Sequence, residues 1–400
     1  MKNPLPETSA AAFADTKPHY ALLDGLRGVA ALTVVWFHIF EAFATSHFDQ
    51  RVNHGYLAVD FFFILSGFVV GYAYDERLRA GTLSVGGFFR RRLIRLQPLV
   101  VLGALIGGAM FYTQGCEFWD VSKISVAALL VATLMNALMV PAGTGTEIRG
   151  VTEMYPLNGP TWSLLFEYVG NMLYALVVRR LPTLALAALT VAAGIGLAAF
   201  ALTAPWFGLA ETAPGDVCIG FAMTPNNLAG GFLRLAFSFS AGLLIARIFR
   251  PLRVRGGVAF WVGAAAFVAL AAFPRVGGEA APWQNGLYDL LCCVVAFPLI
   301  VWLGASGKAG GRATARVCTF LGDISYPLYI VHYPFIYLYF AWVKNGNLTF
   351  AQSLPGALAL YFGCIALAWL ALRLYDVPVR RWLSRLFRGG DIPVASSRAS

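Results

Sequence analysis

Eleven mostly apolar stretches divide this chain, near 22–44, 57–74, 96–114, 122–141, 160–178, 183–204, 231–249, 258–273, 286–304, 320–342 and 354–376. Each approaches the ~20 residues that a helix needs to cross a bilayer. In hydrocarbon every backbone N–H and C=O must find its partner within the segment, so each stretch is predicted as a helix. Composition points the same way. Of 400 residues, 58% are apolar or aromatic and 12% are charged, against ~45–50% and ~25% in soluble domains. Too few charges remain to clothe a soluble surface of this size. Disorder, a coiled coil and a soluble enzyme are excluded, which leaves an all-α polytopic transmembrane helix bundle.

The 30 Lys+Arg and 20 Asp+Glu give a net charge of +10. Most basic residues cluster in short links at 77–95, 247–255, 308–316 and 380–388. That placement follows the positive-inside rule rather than a groove-binding patch, so nucleic acid is not expected as a partner. Placing these clusters, together with Arg179 and Arg180, in the cytoplasm leaves three candidate spans between Arg95 and Arg179. An odd number lands on the wrong side, so one of 96–114 and 122–141 is expected to be re-entrant or half-inserted. The expectation is about ten crossings with both termini cytoplasmic. Residues 1–19 then form a cytoplasmic tail, 20–378 the membrane domain and 379–400 a basic, disordered tail. Pro4, Pro6, Asp15 and Pro18 interrupt the N-terminus, so the first apolar stretch reads as a retained signal anchor. The six cysteines are scattered without a CxxC pair and read as free thiols.

Ionisable residues inside apolar spans are costly and mark function by default. On the first span Arg27, Ala31, Val34, His38 and Glu41 share one helical face. Asp60 begins the second, where an interfacial structural carboxylate competes with a partner that charges a histidine. In the run Arg90-Arg91-Arg92-Leu93-Ile94-Arg95, Arg92 and Arg95 stand at i, i+3. Such a pair suits bidentate phosphate capture, although arginines at cytoplasmic ends also set topology. Glu167 lies on a polar stripe with Ser163, Gly170, Asn171 and Tyr174. His332 shares a face with Ser325, Tyr329 and Ile336. On this topology His38, Asp60, Glu167 and His332 fall in the outer half or middle of the membrane, and the Arg92/Arg95 pair faces the cytoplasm.

Five motifs occur in order: LDGLRGVAAL with a later His, GYLAVDFFFILSGF, RRRLIRLQP, PTWSLLFE and LGDISYPLYIVHYPF. Together they resemble the acyltransferase 3 family of membrane O-acyltransferases over about 20–376. The resemblance implies transfer of an acyl group, acetyl first, from acyl-CoA to a hydroxyl of a carbohydrate or glycoconjugate acceptor, as a multi-pass protein of a bacterial inner membrane. It carries His38, Asp60, Glu167 and His332 over as catalytic, and Arg92 and Arg95, with Arg27 beside them, as residues handling the acyl-CoA. Many members have two adjacent carboxylates where this chain has Glu167-Tyr168. No metal is expected, and the chain stops at Ser400, so no fused SGNH hydrolase-like domain is expected either.

The expected chemistry has His38, oriented by Asp60 or Glu167, acting as general base or as an acyl carrier. The competing class is a proton-coupled transporter or flippase of a glycan precursor, built on the same buried charges. A purely structural scaffold ranks third.

Overall fold

A computed structural model describes residues 20–46, 49–143, 145–207, 215–254 and 256–387. The described chain is helical throughout: α1 Ala21–Glu41, α2 Ala58–Arg79, α3 Val85–Met110, α4 Val126–Ala137, α5 Thr161–Leu176, α6 Thr183–Thr203, α7 Pro225–Ile248, α8 Gly256–Ala272, α9 Trp283–Leu291, α10 Phe297–Ser306, α11 Arg312–Val331, α12 Tyr333–Asn345, α13 Phe350–Leu370 and α14 Val377–Leu386. No strand occurs among these residues, only isolated bridges joining Cys116 to Trp119 and Glu153 to Ala222. Seven helical stretches have the length and composition to cross a membrane. The fold is a polytopic helical bundle.

Two close parallel pairs fix its centre. Gly28 of α1 lies so near α11 that a Cβ there would meet the Leu321 carbonyl oxygen at 2.4 Å, and one on Gly322 would meet the Asp24 side chain at 2.6 Å. In α2 a Cβ on Gly67 would meet the Phe239 carbonyl oxygen of α7 at 2.1 Å, and one on Gly242 the Ile64 oxygen at the same distance. Lipid tails are as apolar as the helices, so apolar burial cannot drive their association. Small residues that let backbones approach supply the packing instead. The glycines of LDGLRG, LGD and ILSGF therefore hold α1 on α11 and α2 on α7.

The helices bear on the sequence expectation in four places. The arginines at 90–95 sit inside α3 rather than in a link, because Ser84 caps that helix early by accepting from the Gly87 N–H at 3.0 Å. Between Arg95 and Arg179 the short element is α4, whose 12 residues span about 18 Å at 1.5 Å each, less than the ~30 Å hydrocarbon core. The stretch at 320–342 breaks between α11 and α12. Pro334 lacks an N–H to meet the Ile330 carbonyl, which accepts from Asn158 Nδ2 at 2.8 Å instead. Finally α14 carries helix through Leu386, so 379–386 is not the disordered tail expected. The π-helical segments Cys292–Ala296 and Ala371–Asp376 precede Pro298 and Pro378, where the missing proline N–H favours a widened turn. The N-terminal tail at 1–19 and residues 388–400 lie outside the described residues.

Candidate active site

Two cavities lie along α1. The first surrounds its N-terminal end and is lined by Arg27, Arg92, Arg95, Ser66, Glu167 and Tyr326 among others. Arg27 pairs with Asp24 at 3.0 Å and donates from Nε to Ser325 Oγ at 2.8 Å. Arg92 is buried and pairs with Glu167, whose Oε1 also accepts from Ser66 Oγ at 2.8 Å. The Nε of Arg92 is buried without an acceptor. Arg95, one turn further along α3, is exposed in the same cavity and makes no ion pair or hydrogen bond among the described residues. Arg27 and Arg92 thus have carboxylates in contact, whereas Arg95 has none in contact and feels the more distant charge of Asp376. The cavity is ready for an anion.

The second cavity holds His38, Glu41, Tyr56, Trp119, Glu153, Trp162, Tyr333 and Tyr337. His38 Nδ1 lies 2.8 Å from Glu41 Oε2, one helical turn on. With Nδ1–H donating to that carboxylate, Nε2 carries the lone pair of the neutral ring. The His332 ring stands 5.5 Å from the His38 ring, centroid to centroid. Its Nδ1 meets the Leu328 carbonyl at 2.9 Å, while its fully buried Nε2 has no hydrogen-bond partner. Because the break at Pro334 starts α12 beside it, Tyr333 presents its ring edge-on to His38 at 4.7 Å.

Both cavities are bounded by Val59 and Tyr329. These two buried side chains form a septum. The Tyr329 hydroxyl is 2.8 Å from Ser163 Oγ and donates to the Pro160 carbonyl at 3.2 Å. Phe62 packs edge-on against the Tyr329 ring at 5.5 Å. Arg27 and His38 are eleven positions apart on α1, about 17 Å at 1.5 Å per residue.

Asp60 meets neither histidine. Its carboxylate is fully buried and receives Arg234 Nη2 at 2.7 Å and Nε at 3.2 Å. Arg234 also donates to the backbone oxygens of Ile219 and Tyr56, at 2.7 and 2.9 Å. This buried, saturated pair locks α2 to α7.

The acyltransferase domain family model matches residues 20–373. The chain belongs to that family. Among its relatives, "Protein 2 in picA locus" of Rhizobium radiobacter is 38% identical over 162 residues, covering 39% of this chain and 81% of that protein. "Acyltransferase MdmB" of Streptomyces mycarofaciens is 28% identical over 378 residues, covering 88% and 86%. No solved structure matches.

For this acyltransferase, membership sets the enzymatic reading above that of a transporter or flippase. The structure brings Arg27, Arg92, Arg95 and Glu167 to one cavity and His38 to the other. Two placements correct the sequence expectation. Glu167 sits with the arginines, not the histidines, because the cation in reach is Arg92. The carboxylate that orients His38 is Glu41 rather than Asp60 or Glu167, because both of those are engaged by arginines. His332 adjoins His38 but does not line the cavity. Sequence reasoning missed Arg234, which lies in an apolar helix where a cation needs a buried acid.

The Asp60–Arg234 pair gives a first prediction. Breaking a buried pair by removing one partner strands the other charge and costs about 3–5 kcal/mol. Asp60→Asn should lower the thermal stability of the purified protein, and Asp60→Asn with Arg234→Met should recover part of the loss. Full stability in Asp60→Asn with turnover abolished would instead place Asp60 in the chemistry.

Proposed function

We propose that the chain is an O-acyltransferase that takes an acyl group, acetyl first, from cytoplasmic acyl-CoA and passes it to a hydroxyl of a carbohydrate or glycoconjugate at the opposite membrane face. The reading rests chiefly on the two cavities meeting end to end at Val59 and Tyr329, one with an arginine that has no ion-pair partner among the described residues and the other with a carboxylate-held imidazole. Arg95 and the free Nε of Arg92 would take phosphate oxygens of CoA, since guanidinium groups hydrogen-bond such anions strongly. The positive-inside rule supports a cytoplasmic opening for this cavity, and the reading takes the membrane to be a bacterial inner membrane. The acyl thioester would pass the septum towards His38, whose Nε2 would accept the acceptor's hydroxyl proton as its oxygen attacks the thioester carbonyl. The thiolate leaves as CoA and takes that proton from the His38 imidazolium, so that ester and thiol are the products and the neutral ring is restored.

Labelled acetyl-CoA supplied to the purified protein in nanodiscs, with a panel of methyl glycosides and a lipid-linked sugar, tests the reading. Ester formation supports it. Uptake of sugar into vesicles without acyl-CoA consumption would overturn it. Arg95→Gln should raise the KM for acetyl-CoA by roughly 10–100-fold, the range for a lost hydrogen bond to a charged group. That penalty should vanish with the acetyl thioester of N-acetylcysteamine, which has no phosphates. An equal penalty on both donors would remove Arg95 from phosphate binding.

A further inference from the structure

Glu153 lies on the loop between α4 and α5, outside the spans, and lines the histidine-side cavity together with His38 and Glu41. Backbone pairing holds it there: Glu153 bridges to Ala222, and the next N–H, of Met154, donates to the Phe221 carbonyl at 2.7 Å. Two tyrosines of α12 reach its carboxylate. The Tyr333 hydroxyl donates to Oε1 at 3.4 Å, and the Tyr337 hydroxyl donates to Oε2. No cation pairs with it among the described residues. Arg149, the nearest in sequence, stacks on the Tyr337 ring with its guanidinium 3.5 Å from the centroid and donates to Gln114 and the Pro156 carbonyl.

A carboxylate offers about four lone-pair sites, and the tyrosines use two. What remains faces a cavity whose other walls are largely aromatic, with Trp119 and Trp162 among them. Ligand cavities of this kind hold a ring by its apolar faces and orient it through a few polar groups. Tyr333 touches both polar centres, through its ring at His38 and its hydroxyl at Glu153.

We infer that Glu153 is an acceptor-binding residue: its carboxylate, braced by Tyr333 and Tyr337, accepts a hydrogen bond from one hydroxyl of a polyhydroxylated ring while a neighbouring hydroxyl meets His38. The inference deepens the proposed function and rests on it. It explains why an unpaired acid is kept in an aromatic cavity, where a charge without a partner is costly. Burial pushes the Glu153 carboxyl up to about 7, against the hydrogen bond from Tyr337 and the charge of Arg149, which lower it. The groups facing it are Tyr333 and Tyr337 of α12, Arg149 and Glu147 of its own loop, and Glu41 of α1. The ionised form prevails above that pH and binds hydroxyls more strongly. Acceptor KM should therefore fall as pH rises through about 7.

The test uses the full-length protein in nanodiscs with acetyl-CoA and a panel of methyl hexopyranosides with their monodeoxy analogues. Glu153→Gln should raise the acceptor KM by roughly tenfold or more and flatten its pH dependence, with the acetyl-CoA KM within about twofold of the unmodified protein. The penalty should disappear on one deoxy analogue, which a merely structural role would not produce. Glu153→Asp should restore part of the affinity. Transfer with an unchanged acceptor KM in a folded Glu153→Gln protein overturns this inference alone. Hydrolysis of acetyl-CoA without transfer to any sugar overturns the carbohydrate reading and this inference with it.

Discussion

His38→Ala should lower kcat for acyl transfer by about 10²–10⁴-fold, the usual worth of a positioned general base, while the KM for acyl-CoA hardly moves. The asymmetry follows from the geometry, because His38 and the arginines line different cavities, Arg27 lying about 17 Å from His38 along α1 and Arg92 and Arg95 on α3. Glu41→Gln tests the orientation separately. A glutamine amide can donate to Nδ1 and so favour the tautomer whose proton sits on Nε2, turning the lone pair away from the acceptor. Its expected loss lies between about tenfold and that of His38→Ala. His332→Phe, which keeps an aromatic ring in the buried position, should cost less than either, because His332 does not line the cavity. Equal losses from His38→Ala and His332→Phe in folded proteins would make the two imidazoles a relay, with the proton passing on to the Nε2 that now lacks a partner. Initial-velocity patterns add the last distinction. Intersecting lines fit direct attack, and parallel lines fit an acyl-histidine intermediate.

Periodicity carried much of this site, and it failed wherever a partner lay far along the chain. One helical face from Arg27 to Glu41 is enough to place a cation in one cavity and a histidine with its acid in the other, since α1 is a single unbroken helix. The glycines that let α1 meet α11 and α2 meet α7 were legible only once the helices were packed. Asp60 shows the limit. Its partner Arg234 is 174 positions away, and nothing in either local pattern joins them. The same holds for Arg92 with Glu167, which moved that acid to the arginine side. The break at His332 was written in the sequence as Pro334, but the continuous apolar run around it outweighed the proline. Glu153 carried no local signal, because its setting depends on a loop folding back against residues 221–222 and on α12. Residues that share a helix are legible from spacing, whereas residues that share a cavity are legible only once the helices are packed.

Val59→Trp should abolish acyl transfer, a loss of at least about 100-fold of the kind that small misplacements near a reacting centre produce, and leave acyl-CoA bound at the arginines. Val59 and Tyr329 border both cavities, and each is almost wholly buried. An indole at 59 would fill the passage between them, and overpacking of this sort costs about 1–3 kcal/mol of stability, which a folded membrane protein can absorb. Tyr329→Phe probes the same point in the opposite sense. It removes the hydroxyl held by Ser163 and Pro160 while keeping the ring against Phe62, so the ring should turn aside more readily and transfer should be unchanged or faster. Isothermal titration with desulfo-CoA separates blocked passage from lost binding, because on the proposed reading the phosphates would meet only the arginine side. A folded Val59→Trp protein that transfers at the unmodified rate would show that the thioester reaches His38 by a route between helices rather than through the septum. The two cavities would then have to be read as independent sites, and the arginines would lose their connection to the imidazole.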